Sequence, residues 1–312
     1  MSHLIWLVSL SLAMVSFSSN AAEYAASTEN SDGLAAVQSL PKETPVRSKR
    51  QPFRYSYDLS WVDDDNIRRA QNEVDIRADT LLNFTLTAKA GESLSRYSLL
   101  SYGGSISVEN FSEFKELNNS KYDVHVKYRF ATGSKFTSPM YSLGFKVGGI
   151  ESSKVMRDSN LYSISLGVNQ WLTNTINMSL GLVHKQRESR SSVFDTKENL
   201  VFGNLDINLS KSTLLYTTYS YVVGDTVSSA TPTLAIINAA KAIEADDAFG
   251  GIAINQFAYR LDSDTQILTL GYNTIIVATT SIDFSYRYVK TESTGSIEYE
   301  RSIFRLSLLG RF

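Results

Sequence analysis

The chain has no cysteine, and only five prolines and three histidines in 312 residues. Without cysteine there is no disulfide framework, no thiol nucleophile and no thiolate-bound zinc or iron–sulfur site. The histidines (His3, His125 and His184) are too scattered for a spacing-based metal motif, and no cofactor is called for. An excess of one charge is lacking too: 30 Lys plus Arg against 32 Asp plus Glu leave a net charge of −2. A nucleic-acid partner, which would normally require a basic excess, is not expected. No glycine-rich phosphate loop leads from a strand into a helix, so nucleotide chemistry is unsupported. A mean hydropathy of −0.14 excludes a polytopic helical membrane protein. It does not exclude a membrane β-barrel, whose alternating strands average to ordinary hydropathy.

What is present begins with an export signal. Leu4 to Phe17 (LIWLVSLSLAMVSF) is an apolar run too short for a comfortable helical span, followed by the small residues Ser18-Ser19-Asn20-Ala21-Ala22. Ser19 and Ala21 form the cleavage-site pattern, which predicts a signal peptide over 1–21, although the stretch before the run has no Lys or Arg. Residues 22–52 show neither strand nor helix period, and read as a flexible periplasmic leader or plug. Its basic Arg47-Ser48-Lys49-Arg50 would suit acidic residues in a lumen.

From residue 53 the period is two. Leu82, Phe84 and Leu86 alternate with Asn83, Thr85 and Thr87. Tyr122, Val124, Val126, Tyr128 and Phe130 alternate with Asp123, His125, Lys127 and Arg129. The same rhythm recurs at 141–147, 162–169, 176–182 and 282–288. A soluble sandwich would alternate likewise. Three features favour the membrane: runs of about ten residues or more, as a tilted span needs; apolar faces ending in Tyr or Phe, as an interfacial girdle requires; and opposite faces of Gly, Ser, Asn and charge, as a polar lumen requires.

The chain ends Ile303-Phe304-Arg305-Leu306-Ser307-Leu308-Leu309-Gly310-Arg311-Phe312, with Phe304, Leu306, Leu308 and Phe312 on one face. This resembles the C-terminal assembly signal of Gram-negative outer-membrane β-barrels, although Gly310 stands where many of them carry an aromatic. The resemblance is to the broad porin-like class over 53–312. It implies an all-β, closed antiparallel transmembrane barrel in the outer membrane. Membrane lipid, lipopolysaccharide and the barrel-assembly machinery are the implied partners.

Thirteen runs read as strands: 53–62, 74–90, 95–109, 120–131, 137–149, 160–171, 175–187, 198–210, 213–223, 249–261, 265–275, 280–290 and 297–312. Both ends on the periplasmic side require an even count. Residues 232–243 are the candidate fourteenth strand, giving fourteen; twelve is the alternative, with that segment a short helix in a long loop and 53–62 not spanning. The links 171–175 and 210–213 are tight, as periplasmic turns should be. The longer polar stretches 63–73, 111–119, 150–159, 187–197 and 291–296 suit outside loops.

With the apolar face to lipid, the lumen receives Asp75, Arg77, Asp79, Asp123, His125, Lys127, Arg129, Lys146, Asp206, Asp283, Arg287, Arg305 and Arg311. Asp123, His125, Lys127 and Arg129 are the densest set, spaced about 7 Å apart along one face. These charges read either as wall-to-wall ladders or as a constriction that selects solute charge, with Asp123, His125, Lys127, Arg129, Lys146, Asp283, Arg287 and Arg305 its candidates. The slight basic excess leans towards small polar or anionic solutes in a passive channel. A closed barrel serving as scaffold, receptor or surface-polymer accessory is the alternative, featuring the loops 154–158, 187–198 and 224–247. A hydrolase is the third class. Outer-membrane phospholipases resemble this architecture but set Ser and His two apart, whereas His184 has Leu182 and Gln186 at that spacing and His125 has Asp123 and Lys127. Outer-membrane proteases use clustered acids; Asp63-Asp64-Asp65 reads rather as a solvated acidic loop.

Overall fold

The computed structural model describes residues 50–312; the expected signal peptide and nearly all of the leader lie outside the described residues. Thirteen strands form one antiparallel sheet: β1 (Arg50–Asp64), β2 (Asp79–Ser95), β3 (Ser98–Phe111), β4 (Asn119–Ala131), β5 (Met140–Ser152), β6 (Ser159–Trp171), β7 (Ile176–Ser189), β8 (Thr196–Asn208), β9 (Thr213–Ala230), β10 (Ala242–Ala245), β11 (Phe257–Val277), β12 (Thr280–Ser293) and β13 (Ile297–Arg311). Among the described residues one α-helix, α1 (Leu234–Ala239), lies between β9 and β10. Each of the twelve long strands pairs with its neighbours. β11 pairs with β9 from Phe257↔Ala230 to Thr274↔Thr213, and β13 closes on β1 from Ser56↔Arg311 to Asp64↔Ile303. The twelve long strands leave no edge among themselves, as a bilayer requires of any β structure within it.

The barrel therefore has twelve strands, not fourteen, and 53–62 does span, as part of β1. The short β10 only adds to the outer part of β11, Ala242↔Arg260 to Ala245↔Phe257. Two readings fail for physical reasons. Leu234–Ala239 (LAIINA) is rich in helix formers, and its Thr233 side chain accepts from the Ile236 amide as an N-cap, so it coils instead of crossing. The runs at 249–261 and 265–275 are not two strands. Residues 247–254 turn in two short 3-10 segments, and from Phe257 a single 21-residue strand continues. Asp262-Ser263-Asp264 looks like a turn in sequence, but Tyr259, Leu261, Ser263, Thr265 and Ile267 keep one parity through it. β2 also starts later than expected, at Asp79, because 65–78 is a loop.

Outward side chains make the apolar band. Leu82 and Ile106 are more than half exposed, while the alternate Asn83 and Ser107 are almost wholly buried in the interior. Rings gather at the end holding both strand termini: Tyr55 stacks on Phe312 (5.7 Å between centroids), Phe130 on Tyr141, and Phe136 lies against Trp171. At the same end four of the five links are short, at 96–97, 172–175, 209–212 and 278–279, and the fifth is 132–139. The opposite end carries the long connections, above all 65–78 and 231–256. Short turns with the termini mark the periplasmic end, and long loops the outer one.

Candidate functional site

The polar parity of every strand turns inward, because a charge facing lipid near the midplane costs about 2–4 kcal/mol. The interior divides into two halves of different chemistry. In the inner half, each acid meets a hydrogen-bond or ion-pair partner in the wall. Asp123 on β4 is buried; it accepts from Ser105 Oγ (2.9 Å), lies 3.1 Å from His125 Nδ1, and receives Lys146 Nζ at 2.7 Å. Asp283 on β12 accepts from Tyr216 Oη (3.0 Å) and Asn273 Nδ2 (3.3 Å). Asp206 accepts from Asn204 Nδ2 at 2.8 Å, and at the border with the outer half Arg305, which also lines the outer chamber, pairs with Asp58. Tyr216 lies flat against the wall because residue 271 is glycine: a Cβ there would stand 2.0 Å from the ring. The ring is thereby kept out of the lumen.

The outer half holds a chamber of about 280 Å³. Nine basic side chains line it (Arg68, Arg69, Lys121, Arg157, Lys185, Arg187, Arg287, Arg301 and Arg305) against four acidic ones (Asp64, Glu109, Glu198 and Asp225). Each of those acids has a cation beside it: Arg301 on Asp64, Lys121 on Glu109, Lys185 on Glu198 at 4.0 Å, and Lys241 on Asp225 at 2.8 Å. Two of the nine are met by acids behind the lining, Arg157 by Asp246 and Arg305 by Asp58, and the chamber remains net positive. Burial and the neighbouring Arg77 pull the Arg68 guanidinium below its ordinary value, against Asp75 and Asp246; burial and Arg301 pull Arg69 the same way. Crowded, buried guanidiniums of this kind are stabilised by an incoming negative charge.

Two loops build that chamber's roof. In 65–78, Asn66 Oδ1 accepts from the Ala70 amide (3.0 Å) while its Nδ2 donates to the Ala70 carbonyl (2.9 Å). The turn holds Arg69 in the left-handed region (φ 56°), which costs a non-glycine residue about 1–3 kcal/mol. In 231–256, Asp246 is fully buried. It accepts from Arg157 Nη2 (2.6 Å), Ser229 Oγ and the Ala248 amide (3.2 Å). Gln256 ties the two loops together: its Oε1 accepts from Arg68 Nη1 (3.0 Å), and its Nε2 donates to Asp75 (3.1 Å) and Thr231 (3.0 Å). Apolar packing fixes the lid. Ile236 joins Ala70, Tyr259, Leu261 and Ile297, and Phe249 packs with Leu117 and Ala248.

The structure brings only part of the sequence-derived lumen set together. Arg287 and Arg305 line the outer chamber. Asp123, His125 and Lys146 form the inner cluster, and Lys127 lines a small recess beside Ser142, Ser165 and Phe202. Arg129 lies on the same inward face of β4, two positions from the strand's last pair. Asp75 and Arg77 are not on a lumenal strand at all. Asp75 is the loop acceptor just described, and Arg77 is exposed, its Nη1 on the Ile76 carbonyl. The cause is the late start of β2. Asp79 instead receives the amides of Glu113 and Phe114, each at 3.0 Å, and so fixes the β3–β4 turn. Arg311 ends β13 exposed at the periplasmic rim. Phe304, Leu306 and Phe312 are exposed on the outer face, with Leu308 half-buried beside them. Missed from sequence were Arg68, Arg69, Lys121, Lys185 and Arg301 as cavity residues. Inward parity on β4, β7 and β13 was the available signal for the last three.

No protein-family model matches the chain, and no curated protein does. Solved structures match in shape. The COG4313 outer membrane channel from Pseudomonas putida F1 aligns with a TM-score of 0.52 and 8% identity over 88% of this chain and 100% of that one. More loosely similar are the KdgM porin in complex with disordered oligogalacturonate (0.43, 11% identity, 82% and 99% covered) and the anion-selective porin from Comamonas acidovorans (0.40, 8%, 85% and 100%). At such identities the common property is the fold. With its closed sheet, lipid-facing apolar band and polar interior, the chain has the architecture of the porin-like outer-membrane β-barrels.

Proposed function

We propose that the protein is a passive outer-membrane conduit for small anionic solutes, working without catalysis or cofactor. The observation that carries the reading is the outer chamber's charge, nine basic side chains against four acidic in a water-accessible interior. Wall charge of one sign concentrates the opposite ion and repels its counterpart, so selectivity follows from electrostatics alone. Export by cleavage after Ala21, and membrane insertion by the assembly machinery through Phe304, Leu306, Leu308 and Phe312, belong to the same proposal. Reversal potentials in planar bilayers under a KCl gradient test it: chloride preference is expected, and cation preference or no current refutes it.

One observation favours a second reading, a closed barrel serving as receptor or surface-polymer accessory. The 231–256 lid is latched over the mouth by the buried Asp246. Liposome swelling separates the two, since a sealed barrel passes no small sugar acid.

A further inference from the structure

The outer chamber is not lined by charge alone. Its wall carries an arc of aliphatic side chains that a conduit for well-hydrated ions does not need. Val62 on β1, Leu200 on β8, Val222 on β9, Ile267 on β11, Val289 on β12 and Ile303 on β13 all line the cavity and form one packed cluster. The register sets them at nearly one height: Leu200 faces Val222, Ile267 faces Val289, and Ile303 stands next to Asp64, two positions above Val62. These positions have the inward parity, which elsewhere in the barrel is filled mostly by Ser, Thr, Asn and charge, with Ile150, Leu161 and Leu214 among the exceptions. Leu200, Ile267, Val289 and Ile303 are buried by packing on one another, so what the arc turns to the cavity is a narrow apolar wall, and covering what remains of it gains roughly 25 cal/mol per Å².

Two guanidiniums at the same cavity are dressed for a carboxylate. Arg68 lies over Phe249 (4.7 Å to the ring centroid) and Phe114 (5.7 Å), and Arg157 lies over Phe194 (4.3 Å). With their faces covered by rings, they can offer a ligand only their edges, the geometry that suits a planar carboxylate. Arg68 is about nineteen-twentieths buried, and its Nε, like that of Arg157, has no hydrogen-bond partner within the protein. A buried donor without a partner is costly, and a ligand oxygen would satisfy it.

We propose that the chamber is a binding site for amphipathic organic anions: a monocarboxylate with a compact apolar body, its head at the Arg68–Arg157 edge and its body against the aliphatic arc. A volume of about 280 Å³ accommodates a ring or short chain with its carboxylate. A fully hydroxylated sugar acid would leave the arc uncovered, and an inorganic anion would leave most of the space to water. This deepens the reading of the protein as an anion conduit and rests on it.

The test uses the full mature chain in nanodiscs and in planar bilayers, with cyclohexanecarboxylate, gluconate and cyclohexylmethanol as probes of matched size. Calorimetry in nanodiscs is expected to show cyclohexanecarboxylate binding at least tenfold tighter than gluconate or the neutral alcohol. The same acid should block chloride current at correspondingly lower concentration. Arg68→Gln, in a loop outside the sheet, should weaken binding of the acid several-fold. Ile267→Ser with Val289→Ser should bring the two acids within about twofold of each other. Heat-dependent gel mobility checks that each variant is a folded barrel; if the double variant is not, Ile303→Ser alone replaces it. Equal binding of gluconate and cyclohexanecarboxylate overturns the proposal while leaving anion conduction standing. Binding of the acid without any current upholds it and removes the conduit instead.

Discussion

The two halves of the lumen carry similar residues and use them differently. In the inner half each acid is answered within the wall: Asp123 by Lys146 and His125, Asp283 by Tyr216 and Asn273, Asp58 by Arg305. Such contacts hold neighbouring strands in register, and the ion pairs among them, Asp123 with Lys146 and Asp58 with Arg305, cancel their own field. In the outer half cations outnumber acids, the aliphatic arc interrupts the polar parity, and the roof is made by loops. Charge on an inward-facing residue is therefore no measure of its influence on a solute. What counts is the charge left after the wall has satisfied itself.

The largest expected effect comes from unlatching the roof. Asp246→Ala removes the buried acceptor of Arg157 and Ser229, and leaving a buried partner uncompensated costs about 3–5 kcal/mol. Residues 231–256 should become rapidly cleavable by limited proteolysis while the barrel keeps its heat-dependent mobility, and single-channel conductance should rise. Persistent protection of that segment would show that the apolar packing of Ile236 and Phe249 holds the lid without the latch. Next in size is selectivity. Arg68→Gln with Arg287→Gln should lower the chloride-to-potassium permeability ratio several-fold, whereas Lys127→Gln with Lys146→Gln should change it much less. The reverse ranking in reversal potentials would move the filter to the inner half. Smaller again is Gly271→Val. The new side chain drives Tyr216 off the wall, overpacking of this kind costs about 1–3 kcal/mol, and the displaced ring should narrow the inner lumen. Conductance should fall, together with the temperature of the gel-mobility shift.

The walls were legible in the sequence because a strand's period is fixed by covalent geometry. Asn83 in and Leu82 out, or Asp123 in and Val124 out, need no knowledge of any distant residue. The strand count was not, since Asp262-Ser263-Asp264 imitates a turn while the parity from Tyr259 to Ile267 runs on unbroken. Counting parity rather than turn residues would have joined the two runs. The roof lay further out of reach. Arg68 meets Gln256 across 188 positions and Arg157 meets Asp246 across 89, and no local pattern specifies loop contacts over such separations. Of the inner cluster, Asp123 and His125 stood on one strand in the sequence, and Lys146 joins them from the next. The outer chamber needed two loops and most of the strands at once.

The smallest expected effect is the sharpest check on the contrast between the halves. Asp123→Asn keeps a side-chain oxygen to accept from Ser105 but removes the negative charge that Lys146 and His125 face. Lys146 retains some access to the lumen, so its ammonium can be rehydrated. The loss should be about 1–2 kcal/mol, the scale of a hydrogen bond to a charged group, seen as a modest drop in the denaturation midpoint. One positive charge is uncovered in a region the solute passes, so chloride preference should rise slightly, by less than a factor of two. A large gain in anion preference would mean that Asp123 had been screening a filter formed by Lys146, Lys127 and Arg129. The sequence-derived set on β4 and β5 would then outrank the chamber above it.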